Sequence, residues 1–252
     1  MNRWIDKVAI VTGASSGIGV AISKALVLHG VKVVGLARRL DKLQEIAREL
    51  GKDKFYPIQC DISKEEDILR AFESVEKQLG GVDILINNAA VLSSALVIES
   101  DTEEYHKIID TNLIAPAICS RETAKSLRKR NAYGHIININ SITGQFAESV
   151  HVPISMFGAS KCGLRALGIE LRHEVIALNL NIKVTNITPG VVDTEMTRSL
   201  LKGNKISDLK ALKDKDIADT VIYVLRTPET VEIPEITIIP HKEIIGLPKF
   251  DV

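Results

Sequence analysis

The chain has 252 residues, 45 % hydrophobic and 25 % charged, a globular balance compatible with one large α/β domain or two small ones. Its 32 basic residues balance 32 acidic ones, and no basic patch points to nucleic acid or an anionic membrane as the main partner. No apolar run is long enough to span a bilayer, and the opening Met-Asn-Arg-Trp-Ile-Asp does not read as a signal peptide, so the expected location is cytoplasmic.

Lys7–Thr12 reads as a buried strand. It leads into Thr12-Gly13-Ala14-Ser15-Ser16-Gly17-Ile18-Gly19, after which Ile18–His29 takes helical spacing and Gly30 marks the stop. A strand, a glycine-rich turn and a helix start form a phosphate cradle. The glycines permit a tight turn and close approach, and the free helix amides favour a pyrophosphate. The spacing is Gly-x-x-x-Gly-x-Gly, and glycines alone are equally explained by a tight turn. The strand before and the helix after favour a dinucleotide, with Gly13, Ser15, Ser16, Gly17, Ile18 and Gly19 as candidate contacts.

Lys32–Ala37 is the second strand and runs into Arg38-Arg39, where a fold of this kind meets the adenosine ribose. No carboxylate is there to grip a 2′-hydroxyl. Two guanidinium groups suit a 2′-phosphate, which favours NADP(H) over NAD. The bland alternative is a solvated arginine pair opening the next helix, Asp41–Leu50, which Gly51 ends.

Lys54–Gln59 is the third strand, followed by Asp61 and Ile62 where an adenine could lie, and then by a helix over Lys64–Leu79. Ile84–Asn87 is the fourth, followed by Asn88, Ala89 and Ala90. A long helix is expected over Glu103–Arg130, with Ser100 and Glu103 as its capping box. His135–Asn140, a helix over Met156–Ala177, and Lys183–Thr188 come next. Pro189, Gly190, Val192 and Thr194 then follow a strand and could support a nicotinamide carboxamide. The stretch 191–215 has no clear period and reads as a substrate-binding flap, an inert loop being the alternative. A helix over Asp216–Leu225 and a strand over Glu235–Pro240 complete the pattern.

The strands are apolar on both faces, as in a parallel sheet covered by helices on both sides. With no linker, repeat or low-complexity tract, 1–252 reads as one doubly wound α/β domain with ligands at the carboxyl ends of its strands. The three cysteines, Cys60, Cys119 and Cys162, lack metal-ligand spacing and read as buried or idle thiols in a reducing compartment; no metal is expected.

From Lys7 to about Pro240 the chain resembles the short-chain dehydrogenase/reductase family, its classical branch. The resemblance rests on Thr12–Gly19, Asn87–Ala89, Asn112 in Thr-Asn-Leu, Ser141 after the fifth strand, Ala159-Ser160-Lys161, and Pro189-Gly190. The segments Gly168–Glu174 and Ile182–Gly190 are similar to insect farnesol-dehydrogenase-type members. The resemblance implies a Rossmann-type, seven-stranded parallel sheet. It also implies hydride transfer with NADP(H) to or from the CH–OH group of an apolar alcohol, such as a terpenoid like farnesol, or the matching aldehyde or ketone. By the same resemblance Ser141 hydrogen-bonds the substrate oxygen, Lys161 binds the nicotinamide ribose and lowers the pKa of the acid/base, and Asn112 holds a water of a proton relay. It further implies a homodimer or homotetramer pairing through 103–130 and 156–177, helices with more apolar surface than one sheet face needs.

The family's acid/base tyrosine stands four residues before the lysine, and here that position is Phe157. A phenyl ring keeps the shape and loses the hydroxyl, which removes acid–base help typically worth about 10²–10⁴ in rate. Three readings are open: a deliberately altered enzyme, a natural member without redox turnover, or another proton source such as Ser141, His151 or a water near Lys161. Two function classes are open: an NADP(H)-dependent oxidoreductase with impaired turnover, and an NADP(H)-binding protein without redox turnover, with a non-redox catalyst on the same scaffold as a variant of the second. A smaller departure is Ala90, where the family usually has glycine.

Overall fold

The computed structural model describes residues 1–149, 152–200 and 211–241. Seven strands, β1 (Val8–Thr12), β2 (Lys32–Ala37), β3 (Phe55–Gln59), β4 (Ile84–Asn87), β5 (Gly134–Ile139), β6 (Ile182–Pro189) and β7 (Glu235–Ile238), form one parallel sheet in the order β3-β2-β1-β4-β5-β6-β7. Eight helices accompany them among the described residues: α1 (Gly17–Leu28), α2 (Leu40–Leu50), α3 (Glu65–Leu79), α4 (Thr102–Ile109), α5 (Ala115–Arg130), α6 (Phe157–Ala177), α7 (Glu195–Leu200) and α8 (Asp214–Arg226). None of the described helices is long and apolar enough to cross a membrane.

Every residue of β1 is buried, because its side chains alternate between two cores. Ala9 and Val11 join Ile22 and Leu26 of α1 and Val221 and Leu225 of α8 on one face. Val8 and Ile10 join Ile68 and Val75 of α3 and Cys119 and Leu127 of α5 on the other. The chain works outward from β1 to β3, then returns to pair β4 with the opposite side of β1 through Ala9↔Ile84 and Val11↔Ile86. This reversal opens a crevice at the carboxyl ends of β1 and β4, where open α/β sheets take ligands.

A ladder of three asparagines crosses the sheet interior. Asn87, Asn138 and Asn186 sit side by side in register on β4, β5 and β6. Asn87 Nδ2 donates to Asn138 Oδ1 at 2.9 Å, Asn138 Nδ2 to Asn186 Oδ1 at 3.0 Å, and Asn186 Nδ2 to the Arg165 carbonyl on α6 at 3.2 Å.

The expected helix over 103–130 is not continuous: α4 and α5 are joined by a π-helical turn, Asp110–Ile114. Pro116 is the physical cause, since it has no N–H to give the Asn112 carbonyl one turn back. The helix is capped one residue later than its sequence suggests. Asp101, not Ser100, accepts the N-terminal amide, from Glu104 at 3.0 Å, while the Ser100 hydroxyl donates back to the Leu96 carbonyl. The stretch 191–215 holds structure of its own, namely α7, a bridge between Val192 and Leu212, and the start of α8 at Asp214. The remaining expected elements are present with ends shifted by one or two residues.

Candidate active site

Thr12 closes the crevice at its base. Its hydroxyl accepts the amides of Asn88 and Ala89, each at 3.0 Å, and donates to the Ile86 carbonyl at 3.3 Å. Asn88 answers by donating from Nδ2 to the Thr12 carbonyl at 2.8 Å. The turns after β1 and β4 are thereby locked together. Gly13 has φ +67°, and a Cβ there would lie 2.8 Å from Ala89 Cα. A Cβ on Gly19 would lie 2.3 Å from the Gly13 carbonyl oxygen. Only glycine lets α1 start this close to the turn that precedes it. Ala90 adopts no positive φ, so alanine is unstrained there.

The N-terminus of α1 carries no side-chain cap from Ser16. Among the described residues the amides of Gly17, Ile18 and Gly19 have no acceptor in the preceding turn. Free amides at a helix start, behind glycines that keep side chains away, fit a pyrophosphate. Arg39 fits a phosphate beside it: Nε and Nη2 donate to Ser15 Oγ at 3.3 and 3.2 Å, and Nη1 is 3.8 Å from Glu195. Arg38 is exposed and makes its recorded contact through its carbonyl, to Gln59. On the far side, Gly190 donates to the Ile238 carbonyl at 2.7 Å after Pro189 ends β6. Val192 is buried, and Thr194 reaches within 3.4 Å of where a Gly17 Cβ would stand. Asp61 spends its carboxylate on Ser63, and Ile62 is buried in the core beside α3.

Asn112, fully buried in the π turn, uses its whole amide. Oδ1 accepts from Val91 N at 2.8 Å, and Nδ2 donates to Val91 O at 2.9 Å and Ser160 Oγ at 3.0 Å. Ser160 Oγ donates to the Phe157 carbonyl at 2.7 Å, which carries the link into the first turn of α6.

Lys161 lies one turn beyond Phe157, on the same helix face. It is 3 % exposed, its Nζ donates to the Ile139 carbonyl at 2.9 Å, and it sits 5.7 Å from the centre of the Phe157 ring. Burial pushes its pKa from 10.5 down to about 8, because no carboxylate offsets the loss of water. Ser141 opens the short turn after β5 and its Oγ accepts from Thr143 N at 3.2 Å. That turn packs on α6: a Cβ at Gly144 would lie 2.6 Å from the Lys161 carbonyl oxygen. Asn112, Ser141, Phe157 and Lys161 are thus joined through α6, at the carboxyl ends of β4 and β5.

Several polar atoms around them were not singled out from sequence. Asn140 Nδ2, Thr143 Oγ1, Thr188 Oγ1 and Ser155 Oγ are buried with no hydrogen-bond partner among the described residues, and Ser155 holds φ +47° just before α6. Thr12 and Ser160 lie inside motifs already recognised, but their roles depend on long-range pairings that spacing does not reveal. His151 and Leu201, considered for the proton source and the flap, lie outside the described residues. The tyrosines are engaged or placed elsewhere: Tyr56 and Tyr105 donate to the carbonyls of Asp53 and Val97, Tyr133 stacks with Trp4, and Tyr223 is exposed on α8. Cys60 and Cys119 are buried, and burial pushes the Cys60 thiol up to about 12; Cys162, by contrast, is exposed.

Comparison with known proteins gives the same picture over the whole chain. Residues 7–205 match the family described as short chain dehydrogenase. Farnesol dehydrogenase of Aedes aegypti is 40 % identical, with 96 % of this chain and 99 % of that protein covered. Human dehydrogenase/reductase SDR family member 11 is 38 % identical, covering 97 % and 98 %. Among solved structures, an alcohol dehydrogenase from Thermococcus sibiricus complexed with 5-hydroxy-NADP superposes with a TM-score of 0.83 at 27 % identity, covering 97 % and 99 %. A closed serine dehydrogenase complexed with NADP+ superposes at 0.85 and 28 % identity, with the same coverage. Motifs, sheet order and relatives agree, and the chain belongs to the short-chain dehydrogenase family of oxidoreductases.

Proposed function

We propose that this protein binds NADP(H) and acts on the CH–OH group of an apolar alcohol, or on the matching aldehyde or ketone, with a proton-transfer step weakened by Phe157. Support for the cofactor comes from the uncapped start of α1 and from Arg39 beside Ser15, with no carboxylate at the end of β2. The NADP found with related structures points the same way. Support for an apolar substrate comes from Val191, Val192, Met196 and Leu200 in the flap, and from the farnesol dehydrogenase relative.

In this reading a nicotinamide dinucleotide, held by the start of α1, Arg39 and Lys161, would supply the hydride chemistry when bound. Ser141 Oγ donates to the substrate oxygen and orients it. Lys161 binds the nicotinamide ribose and holds a positive charge beneath the site. Asn112 spends its amide on Val91 and Ser160, so its backbone carbonyl, left without a Pro116 amide, is the group that holds a water. The one observation that carries the reading of weakened turnover is the Phe157 ring over Lys161 Nζ. A hydrocarbon edge stands where a hydroxyl would deliver the proton, so the proton reaches the substrate oxygen only from water or Ser141. The same observation favours a second reading, an NADP(H)-binding protein without turnover.

The test is NADPH consumption with a panel of apolar aldehydes, run side by side on this protein and on Phe157→Tyr. The tyrosine variant is expected to turn over at least about 10²-fold faster. Equal rates would reject the phenol-centred account. Binding of NADPH by both without turnover by either would favour the second reading.

A further inference from the structure

We infer that Glu195, the first residue of α7, is a specificity-determining residue that competes with a 2′-phosphate for Arg39 and so tempers this protein's preference between the two nicotinamide dinucleotides. The inference rests on the NADP(H) reading above. Of the two arginines after β2, Arg39 is the one that leans on the glycine-rich turn, through two bonds to Ser15 Oγ. Its remaining terminal nitrogen, Nη1, faces Glu195 Oε2 at 3.8 Å. No other cation is paired with Glu195 among the described residues, and its side chain is 78 % exposed.

Glu195 is held there by its backbone. The preceding Thr194 lies against Gly17, on the cradle itself. Asp193 donates its amide to the Leu212 carbonyl at 2.8 Å, and its carboxylate takes Arg198 Nε at 2.7 Å. The Val192–Leu212 bridge closes the base of the segment. The backbone therefore holds the carboxylate beside Arg39, which itself leans on the glycine-rich turn.

A phosphate monoester carries close to two negative charges near neutral pH, against one on a carboxylate. On a shared guanidinium the phosphate is the stronger partner, but it approaches against a like charge a few ångströms away. Glu195 must give up Arg39 or remain beside the phosphate, and either outcome weakens NADP(H), whereas NAD(H) brings only a hydroxyl there and meets no like charge. Linkage makes the effect reciprocal: a bound 2′-phosphate releases α7 from Arg39.

Equilibrium titration of NADPH and NADH by cofactor fluorescence tests this on the wild-type protein, Glu195→Gln, Arg39→Ala and the double variant. Glu195→Gln is expected to bind NADPH about threefold more tightly, the size of an exposed pair, with no tightening of NADH. In the Arg39→Ala background the gain is expected to vanish. No change in NADPH affinity, equal tightening of both cofactors, or a gain that survives without Arg39 would each overturn the inference. NADH binding reports on folding of every variant. If wild-type prefers NADPH and Glu195→Gln changes nothing, only the role of Glu195 fails; if neither protein prefers NADPH, the NADP(H) reading fails with it.

Discussion

At Lys161 the fold carries a charge in a place that does not favour one. An unfolded lysine keeps its proton to about pH 10.5, whereas burial lets Lys161 release it near 8. Between those values the unfolded chain holds more protons, so stability rises with pH across that window. Below pH 8 the cost is present in full, about 3 kcal/mol for this shift. Lys161→Met is therefore expected to stabilise the protein at pH 7 by about 1–2 kcal/mol, after loss of the bond to Ile139. The gain should fade as pH approaches 10.5, as read by urea denaturation at several pH values. A destabilised variant at pH 7 would show that Lys161 is held more by its carbonyl partner than it is strained by burial. The need for a lysine four residues after the aromatic position was legible in sequence; its isolation from carboxylates among the described residues was not, because that depends on what β5 and the Ser141 turn bring against it.

The π turn between α4 and α5 shows where helical periodicity misleads. Residues 103–130 keep a helical pattern throughout, yet Pro116 breaks the hydrogen-bond ladder and widens one turn around Asn112. The side chain then bridges three elements: the loop after β4, the turn itself, and α6 through Ser160. Asn112→Ala would strand both backbone groups of Val91 in a half-buried setting. A loss of about 2–4 kcal/mol is expected in chemical denaturation, together with weaker cofactor binding. Asn112→Asp keeps an acceptor for Val91 N but loses the two donors and sets a buried carboxylate against the Val91 carbonyl, so it should cost at least as much as alanine. A variant that folds with unchanged stability would refute this bridging role. Asn112 was visible in sequence through its motif, whereas the partners that give it leverage lie 21 and 48 residues away in the chain.

The parallel seven-stranded sheet was accessible from strand patterning because seven apolar runs, six of them followed by a helix, leave few ways to bury both faces; the strand order came from the structure. The helix faces turned away from the sheet are a different matter. Ile98 is 91 % exposed before α4, Ile114 lies exposed in the π turn, and Ile169 and Ile176 are exposed on α6. These are the helices expected to pair across a two-fold axis, and such surfaces suit a second copy of the chain. Sedimentation at micromolar concentration should give a dimer or tetramer, and Ile114→Glu with Ile169→Glu should shift it toward monomer. A wild-type monomer would remove the assembly from the proposal and leave the site within one chain unaffected.

The asparagine ladder has a consequence for how the strands find one another. Parallel neighbours made of Ile and Val offer many nearly equivalent alignments, because one branched side chain packs much like the next. Asn87, Asn138 and Asn186 break that degeneracy. Sliding β5 by one residue would set isoleucine between Asn87 and Asn186 and strand the buried Asn138 amide, whereas the native alignment joins all three and ties them to α6. The ladder thus acts as an alignment key for the half of the sheet that carries Ser141 and leads to the flap. Replacing it with leucines would leave the core as apolar as its neighbours and less certain of its own register.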